Sequence, residues 1–166
     1  MRSTRDLVTT HHATGEVRAV VVRPDRRVPA RTVASSRALA GRGLADDRHA
    51  RRAPGSSRQV TLVQAEHLPV IASLAGVESV TPVDLRRNLV VAGVNLSAVR
   101  GRRLRIGDAV LEVTGPCHPC SRMEEALGPG GFQAMRGHGG MTARVLTDGE
   151  IAVGAVVHVV PPDESS

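Results

Sequence analysis

The chain has 166 residues, 41% of them apolar, with a single Phe, no Tyr or Trp, and a net charge of +6 in which all 22 basic residues are arginine. That length suits one domain whose core must be built from Val, Leu, Ile and Ala. The absence of lysine excludes Schiff-base chemistry and any lysine-anchored cofactor. Two cysteines are too few for a disulfide scaffold, and no stretch approaches a membrane span.

Residues 1–15 are polar and lack the apolar run of a signal peptide, so a flexible tail and a cytoplasmic protein are expected. One domain then runs over 16–160, and PPDESS (161–166) forms a C-terminal tail. Short valine-rich segments separated by turn residues predict strands at 17–22, 32–39, 59–63, 88–92, 102–106, 109–114, 142–147 and 155–160. Gly107-Asp108 joins two of them as a hairpin, and GEIAVGAVV repeats that design near the C-terminus. Helices look short: 65–74, one turn at 83–87, 121–127 and 132–136. Many short strands and few helices predict a mostly β protein, a barrel or sandwich rather than a doubly wound sheet.

Four clusters stand out. GLADDRHA (43–50) is too polar for a core; its Arg48 suits a phosphate or carboxylate, and His49 can serve as acid, base or ligand. RRAPGSSR (51–58) reads as a mobile loop. In TPVDLRRNLVV (81–91), Thr81 caps a helix start with Pro82 at its first position and Asp84 following. That turn delivers Arg86, Arg87 and Asn88 to the mouth of a buried strand, where they suit an anionic or heteroatom-rich ligand. In GPGGFQAMRGHGGM (128–141), glycine density supplies accessible N–H groups, and Arg136 and His138 sit among them.

The fourth cluster, TGPCHPCSRM (114–123), holds both cysteines, Cys117 and Cys120. A dithiol pair, half of a zinc site completed by His49 and His138, an inert buried cysteine and a single activated thiolate are the competing readings. Against the first two stand the late position of the motif and the lack of a second C-x-x-C or H-x-x-x-H; no zinc is expected. In favour of the last, Ser121 and Glu124 have capping-box spacing, which puts Cys120 just before a helix N-terminus. Unpaired N–H groups and the helix dipole there favour an anionic sulfur, and Arg122 and His118 lie close in sequence.

In order, GLxxDRH, TPxDLRRNLVVxGV and GxRLRIGxAxLEVTGxCxPCxRM, followed by a glycine-rich stretch and GxIxVG, resemble the small stand-alone bacterial form of the MOSC domain, the C-terminal domain of molybdenum cofactor sulfurases. The likeness spans about residues 16–160 and implies a β-barrel of the MOSC and pyruvate-kinase-barrel type with a few short helices. It implies that Cys120 either carries persulfide sulfur or ligates molybdenum in a pterin cofactor. It further implies a sulfurtransferase or a reductase of N-hydroxylated compounds, in a family associated with pyridoxal phosphate proteins. The expected partners are an anionic pterin or small-molecule substrate and a sulfur-donor desulfurase. Arg48, His49, Arg86, Arg87, Asn88, Arg122, Arg136 and His138 are the candidate cofactor-binding set. Two positions depart from the family pattern: Asp46 stands where Gly is usual and adds negative charge beside Arg48, and Ala155 stands where Asp is usual. From another class, a non-catalytic basic barrel would bind RNA or a protein partner; the missing aromatic side chains argue against nucleic acid.

Overall fold

The computed structural model describes residues 1–12 and 14–162. Eleven strands are present among them: β1 (Gly15–Val22), β2 (Arg31–Val33), β3 (Ser35–Leu39), β4 (Gly43–Leu44), β5 (Val60–Gln64), β6 (Leu89–Ala92), β7 (Arg103–Ile106), β8 (Ala109–Pro116), β9 (Met141–Thr147), β10 (Gly149–Ala152) and β11 (Val156–Val159). Seven close into a barrel in the order β11-β7-β8-β9-β5-β6-β1, with β1 returning to β11 and β2 hanging from β1. The remaining β10, β3 and β4 form a separate small sheet. The fold is the mostly β barrel expected from the short valine-rich runs.

Strand alternation explains the walls. Val60 and Leu62 of β5 and Leu89 and Val91 of β6 point into the barrel, while Val63 and Val90 point out. These two strands are the barrel's parallel pair, and the crossover between them carries α2 (His67–Ala75) and α3 (Pro82–Leu85). Together with α4 (Ser121–Leu127) and α5 (Gly131–Met135), those helices cover the outward face and bury a second cluster around Ile71, Leu85, Met123 and Met135. Strands covered on both faces read as near-continuous apolar runs, as Leu89–Ala92 does, while Thr61 and Gln64 interrupt the run in β5. In β1 the register shifts between Val17 and Ala19, so Val17, Val20 and Val22 all still face inward.

The Gly107-Asp108 hairpin forms as expected, pairing Ile106 with Ala109. The second expected hairpin does not. β10 pairs with β3, whereas β11 pairs with β7 and β1, so the Gly154 turn moves the chain between sheets. Close packing drives that exit: a Cβ on Gly149 would collide with the backbone at Asp108 and Ala109. The strand expected at 32–39 is likewise split, with β2 on the barrel and β3 on the small sheet.

The closing seam is short, with only Gly15 opposite Val157 and Glu16 opposite Val156. Bonds from Val17 N–H to Ala155 O and from Gly154 N–H to Val17 O extend it. Within the expected N-terminal tail, α1 (Thr4–Thr9) is capped by Ser3 and Asp6. Of the expected C-terminal tail, residues 163–166 lie outside the described residues, as does Ala13 of the N-terminal one.

Candidate functional site

The site begins with a buried polar node. Asp47 is 1% exposed and accepts hydrogen bonds from Arg23 N–H, Nε and Nη2 and from His49 N–H, all between 2.9 and 3.0 Å. Asn88, at 0% exposure, donates from Nδ2 to Asp47 Oδ2 and Val21 O, and accepts at Oδ1 from Thr61 N–H and Oγ1. Every polar atom of the Asn88 side chain is therefore occupied inside the protein. Its work is to tie β1, β5 and the Asp47 turn together, and no donor of it remains for a ligand. Burial alone would raise the Asp47 carboxyl, but the hydrogen bonds and charge of Arg23 and the N–H groups of His49 and Arg23 hold it below the usual carboxylate range.

This node aims the residues beside it. Asp47 caps the one-turn 3-10 helix Arg48–Arg51 through His49 N–H and so fixes Arg48 and His49 at its start. With Arg23, Arg52, Ser56, Arg58 and Thr61 they line a cavity of about 300 Å³. The stretch read as a mobile loop thus supplies cavity wall. Asp46 is exposed and accepts from Ser36 Oγ at 3.1 Å, with no ion pair to Arg48 among the described residues; its departure from the family Gly leaves the cationic face intact.

Arg86 and Arg87 directly follow α3, whose capping box between Thr81 and Asp84 forms as the sequence predicts. Arg86 is the only non-glycine residue at positive φ among those described, 53°, because the chain must turn sharply from α3 into β6. Arg87 is 6% exposed, donating from Nε to Gly139 O at 2.8 Å and from Nη1 to Leu85 O at 3.1 Å. Arg48 Nη1, His49 Nε2, Arg86 Nη2 and Arg87 Nη2 are all buried with no hydrogen-bond partner. Burial first, then the charges of Arg23, Arg86, Arg122 and Arg52, pushes the Arg48 guanidinium down from its ordinary range. Burial likewise lowers Arg86, joined by Arg122 and Arg23, and lowers His49, joined by Arg52 and Arg23. Clustered, desolvated cations with unused N–H groups are the signature of a site for an anion.

Strand β8 ends at Pro116, and the cysteine loop follows. Cys117 is buried at 4% exposure, and its N–H bonds to Gly140 O; Cys120 is exposed and is the N-cap residue of α4. Both are free thiols. The expected position of Cys120 is found, but the capping box is not: Ser121 is inside the helix, and no side chain caps it. Glu124 instead reaches forward, accepting from Gly130 and Phe132 N–H at 2.7 and 2.8 Å to cap α5. Arg122, exposed on the first turn of α4, lies within electrostatic reach of Arg48 and Arg86. Burial lowers the Arg87 guanidinium from its ordinary range; Arg87 lies within electrostatic reach of Cys117 and Cys120, and Arg86 of Cys120.

Not all candidates converge. Arg136 is exposed, donates to Gln133 Oε1 at 3.1 Å, and lines a different cavity of about 450 Å³ with Cys117 and His118. His138 lines neither cavity; its ring packs edge-on against His67 at 5.2 Å, with Nδ1 buried and unpartnered. The glycines around it serve close approach rather than an N–H cradle: a Cβ on Gly140 would collide with Leu62 O, and one on Gly139 with Cys117 O. Sequence reasoning missed Arg23, Arg52, Arg58 and Thr61. The one local signal for Arg23 was a charge directly after the apolar run of β1. Among the described residues no three His, Cys, Asp or Glu side chains gather as a metal cluster, and no helix is long and apolar enough to cross a membrane.

Known proteins fit this architecture. The YuaD protein from Bacillus subtilis superposes with a TM-score of 0.75 at 19% identity, over 89% of this chain and 96% of that one. YiiM from Geobacillus stearothermophilus gives 0.70 at 18% identity, covering 91% and 77%. YiiM from Escherichia coli gives 0.67 at 22%, covering 87% and 69%. No curated protein sequence matches the chain significantly. The family model for the MOSC domain matches residues 47–158, from the buried Asp47 through both cysteines to β11, and the chain belongs to that family.

Proposed function

We propose that this protein binds the phosphorylated pterin of the molybdenum cofactor against its arginine face and uses Cys120 as the reactive sulfur, ligating the metal or carrying a persulfide. The observation that carries the reading is the set of unpartnered, buried Arg48, Arg86 and Arg87 nitrogens, of which Arg86 and Arg87 lie within electrostatic reach of the exposed Cys120 thiol. These residues fit the group. A dianionic phosphate takes paired guanidinium N–H donors, and a soft thiolate suits both molybdenum and sulfane sulfur. When bound, the cofactor would supply oxo- or sulfur-transfer chemistry at molybdenum.

The chain's own residues have separable tasks. Arg48 and Arg87 would hold the anion, with Arg52 and Arg58 neutralising it from the cavity wall. Arg86 and Arg122 place positive charge near Cys120. His49, kept neutral by burial and neighbouring cations, offers Nε2 as a hydrogen-bond or proton acceptor. Asn88 and Asp47 position rather than bind. Four of the cations, Arg23, Arg48, Arg52 and Arg58, line a cavity instead of an open stripe, which favours a small anion over RNA. A desulfurase in a reducing cytoplasm is the natural sulfur source, and delivery of sulfur or reduction of an N-hydroxylated compound would follow at the same thiol.

The test is protein made in a cofactor-competent host, examined by metal analysis, pterin fluorescence and mass spectrometry of the Cys120 peptide, with Cys120→Ser and Arg87→Met alongside. Molybdenum or pterin that is lost in Arg87→Met, or a persulfide that is absent in Cys120→Ser, is the expected result. Protein with no molybdenum and no pterin, and with no persulfide on Cys120 either in wild type or in Cys117→Ser, would overturn it.

A further inference from the structure

Resting on the persulfide arm of that reading, we propose that Cys117 is a resolving thiol for sulfur carried on Cys120, and that the cavity beside it admits a small carboxylate-bearing thiol as reductant. The two cysteines share one loop but open to different surroundings. Cys120 is exposed at the start of α4, whereas Cys117 is buried and forms part of the wall of the roughly 450 Å³ cavity. Neither is committed to a disulfide or to a metal cluster among the described residues.

Two further observations point the same way. Arg87 is more than nine-tenths buried, keeps Nη2 unpartnered, and reaches the Cys117 backbone: a Cβ on Gly139 would lie 2.5 Å from Cys117 O and 3.5 Å from Arg87 Nη2. A buried cation beside the cysteine loop would favour a thiolate there, the form that attacks in sulfur exchange. The cavity itself is cationic with no acidic side chain in its lining: Arg100, His118 and Arg136 supply charge or potential charge, and Met135 and Met141 supply apolar wall. Arg100 has no hydrogen-bond or ion-pair partner among the described residues and lies across Gly115, where a Cβ would sit 3.8 Å from its guanidinium. Arg136 bonds only to the neutral Gln133. A ligand with a carboxylate and a short apolar body matches that lining, and a thiol on it would meet the sulfur wall.

The chemistry balances. The deprotonated Cys117 sulfur attacks Cys120 Sγ of the persulfide, forming the Cys117–Cys120 disulfide and expelling hydrosulfide. A first thiol in the cavity attacks Cys117 Sγ, releasing the Cys120 thiolate and leaving a mixed disulfide. A second thiol attacks the reductant's sulfur in that mixed disulfide and frees Cys117. In sum, one sulfane sulfur is reduced to sulfide by two electrons as two small thiols become one disulfide.

The experiment loads the full chain with inorganic polysulfide, removes excess, and follows sulfide release and intact mass without and then with thiol. Wild type is expected to release about one equivalent of sulfide unaided and to yield a linked Cys117–Cys120 peptide. Cys117→Ser and Cys117→Ala, checked for folding by circular dichroism, should instead retain the Cys120 persulfide until thiol is added. Sulfide released unaided at wild-type rates by both variants, with the mass of an unlinked pair, overturns the resolving role. A persulfide that never forms on Cys120 in any variant overturns the sulfur-carrying reading itself, and this role with it. For the cavity, Arg100→Ala should raise KM for mercaptopropionate about ten-fold while leaving that for neutral mercaptoethanol unchanged. Equal effects on both thiols would remove the carboxylate reductant.

Discussion

Two arginines on the same face of the barrel, Arg23 and Arg87, have opposite surroundings. Arg23 sits at 15% exposure with its guanidinium 2.9 Å from Asp47, inside a node in which Asn88 and Thr61 also find all their partners. Arg87 is more deeply buried, bonds only to two backbone carbonyls, and leaves Nη2 unused. The first is a cation whose counter-charge belongs to the fold. The second has no counter-charge among the hydrogen bonds and ion pairs of the described residues. Burial alone does not separate framework from site; the origin of the compensating charge does.

That contrast can be broken most directly at Asp47. Asp47→Ala strands the Arg23 guanidinium and the Asn88 amide, and a loss of about 3–5 kcal/mol in urea unfolding is expected. The wild-type pH dependence has a definite sign. The Asp47 carboxyl titrates lower in the fold than its ordinary 3.8, so its stabilisation is complete above that value and is lost as pH falls through the lower folded one. Asp47→Asn should flatten this acid limb.

Arg87→Met sharpens the comparison from the other side. It removes two hydrogen bonds but also an uncompensated buried charge, so in anion-free buffer stability should change by no more than about 1 kcal/mol. Inorganic phosphate is expected to raise the Tm of the wild type and to leave that of Arg87→Met unchanged. A large loss of stability without anion would place Arg87 in the framework with Arg23. The smallest effect is expected for Glu124→Gln, since that partly exposed carboxylate caps only the short helix α5. Its hydrogen bonds from Phe132 and Gly130 N–H lower the carboxyl, so the difference in Tm from wild type should fade as acid protonates Glu124.

Much of the barrel was legible because its signal is local. Valine runs such as Val20–Val22 declare strands by composition, and Gly107-Asp108 declares a hairpin by turn chemistry. The Gly154 turn carries similar chemistry and misled, because which sheet a strand joins is decided by partners far along the chain. Gly149 has to lie against Ala109 for β10 to leave the barrel. In the site, the arginines and Cys120 were visible as residue types, and the helix start at Cys120 followed from spacing. Asn88 was visible too, but not its saturation by Thr61, Val21 and Asp47, which come from three separate segments. Ser121 and Glu124 fit a capping pattern that α4 does not use, since Gly130 and Phe132 offer the carboxylate better donors.

The barrel's closing seam has a consequence for the order of assembly. Pairing Gly15 with Val157 joins residues separated by nearly the whole chain through a ladder of two residue pairs. Loop closure on that scale brings little reward until the strands between are in place. The contiguous β7–β8–β9 meander, bound by far more extensive ladders, would form early, and the β1–β11 junction would form last and be the first to part. The cysteine loop lies between β8 and β9, in the part that forms early. The Asp47 node depends on β1 and would be completed late. The cysteine loop and the Asp47 node therefore rest on portions of the barrel with different lifetimes, and partial unzipping would loosen the arginines around Asp47 while leaving the thiols in position.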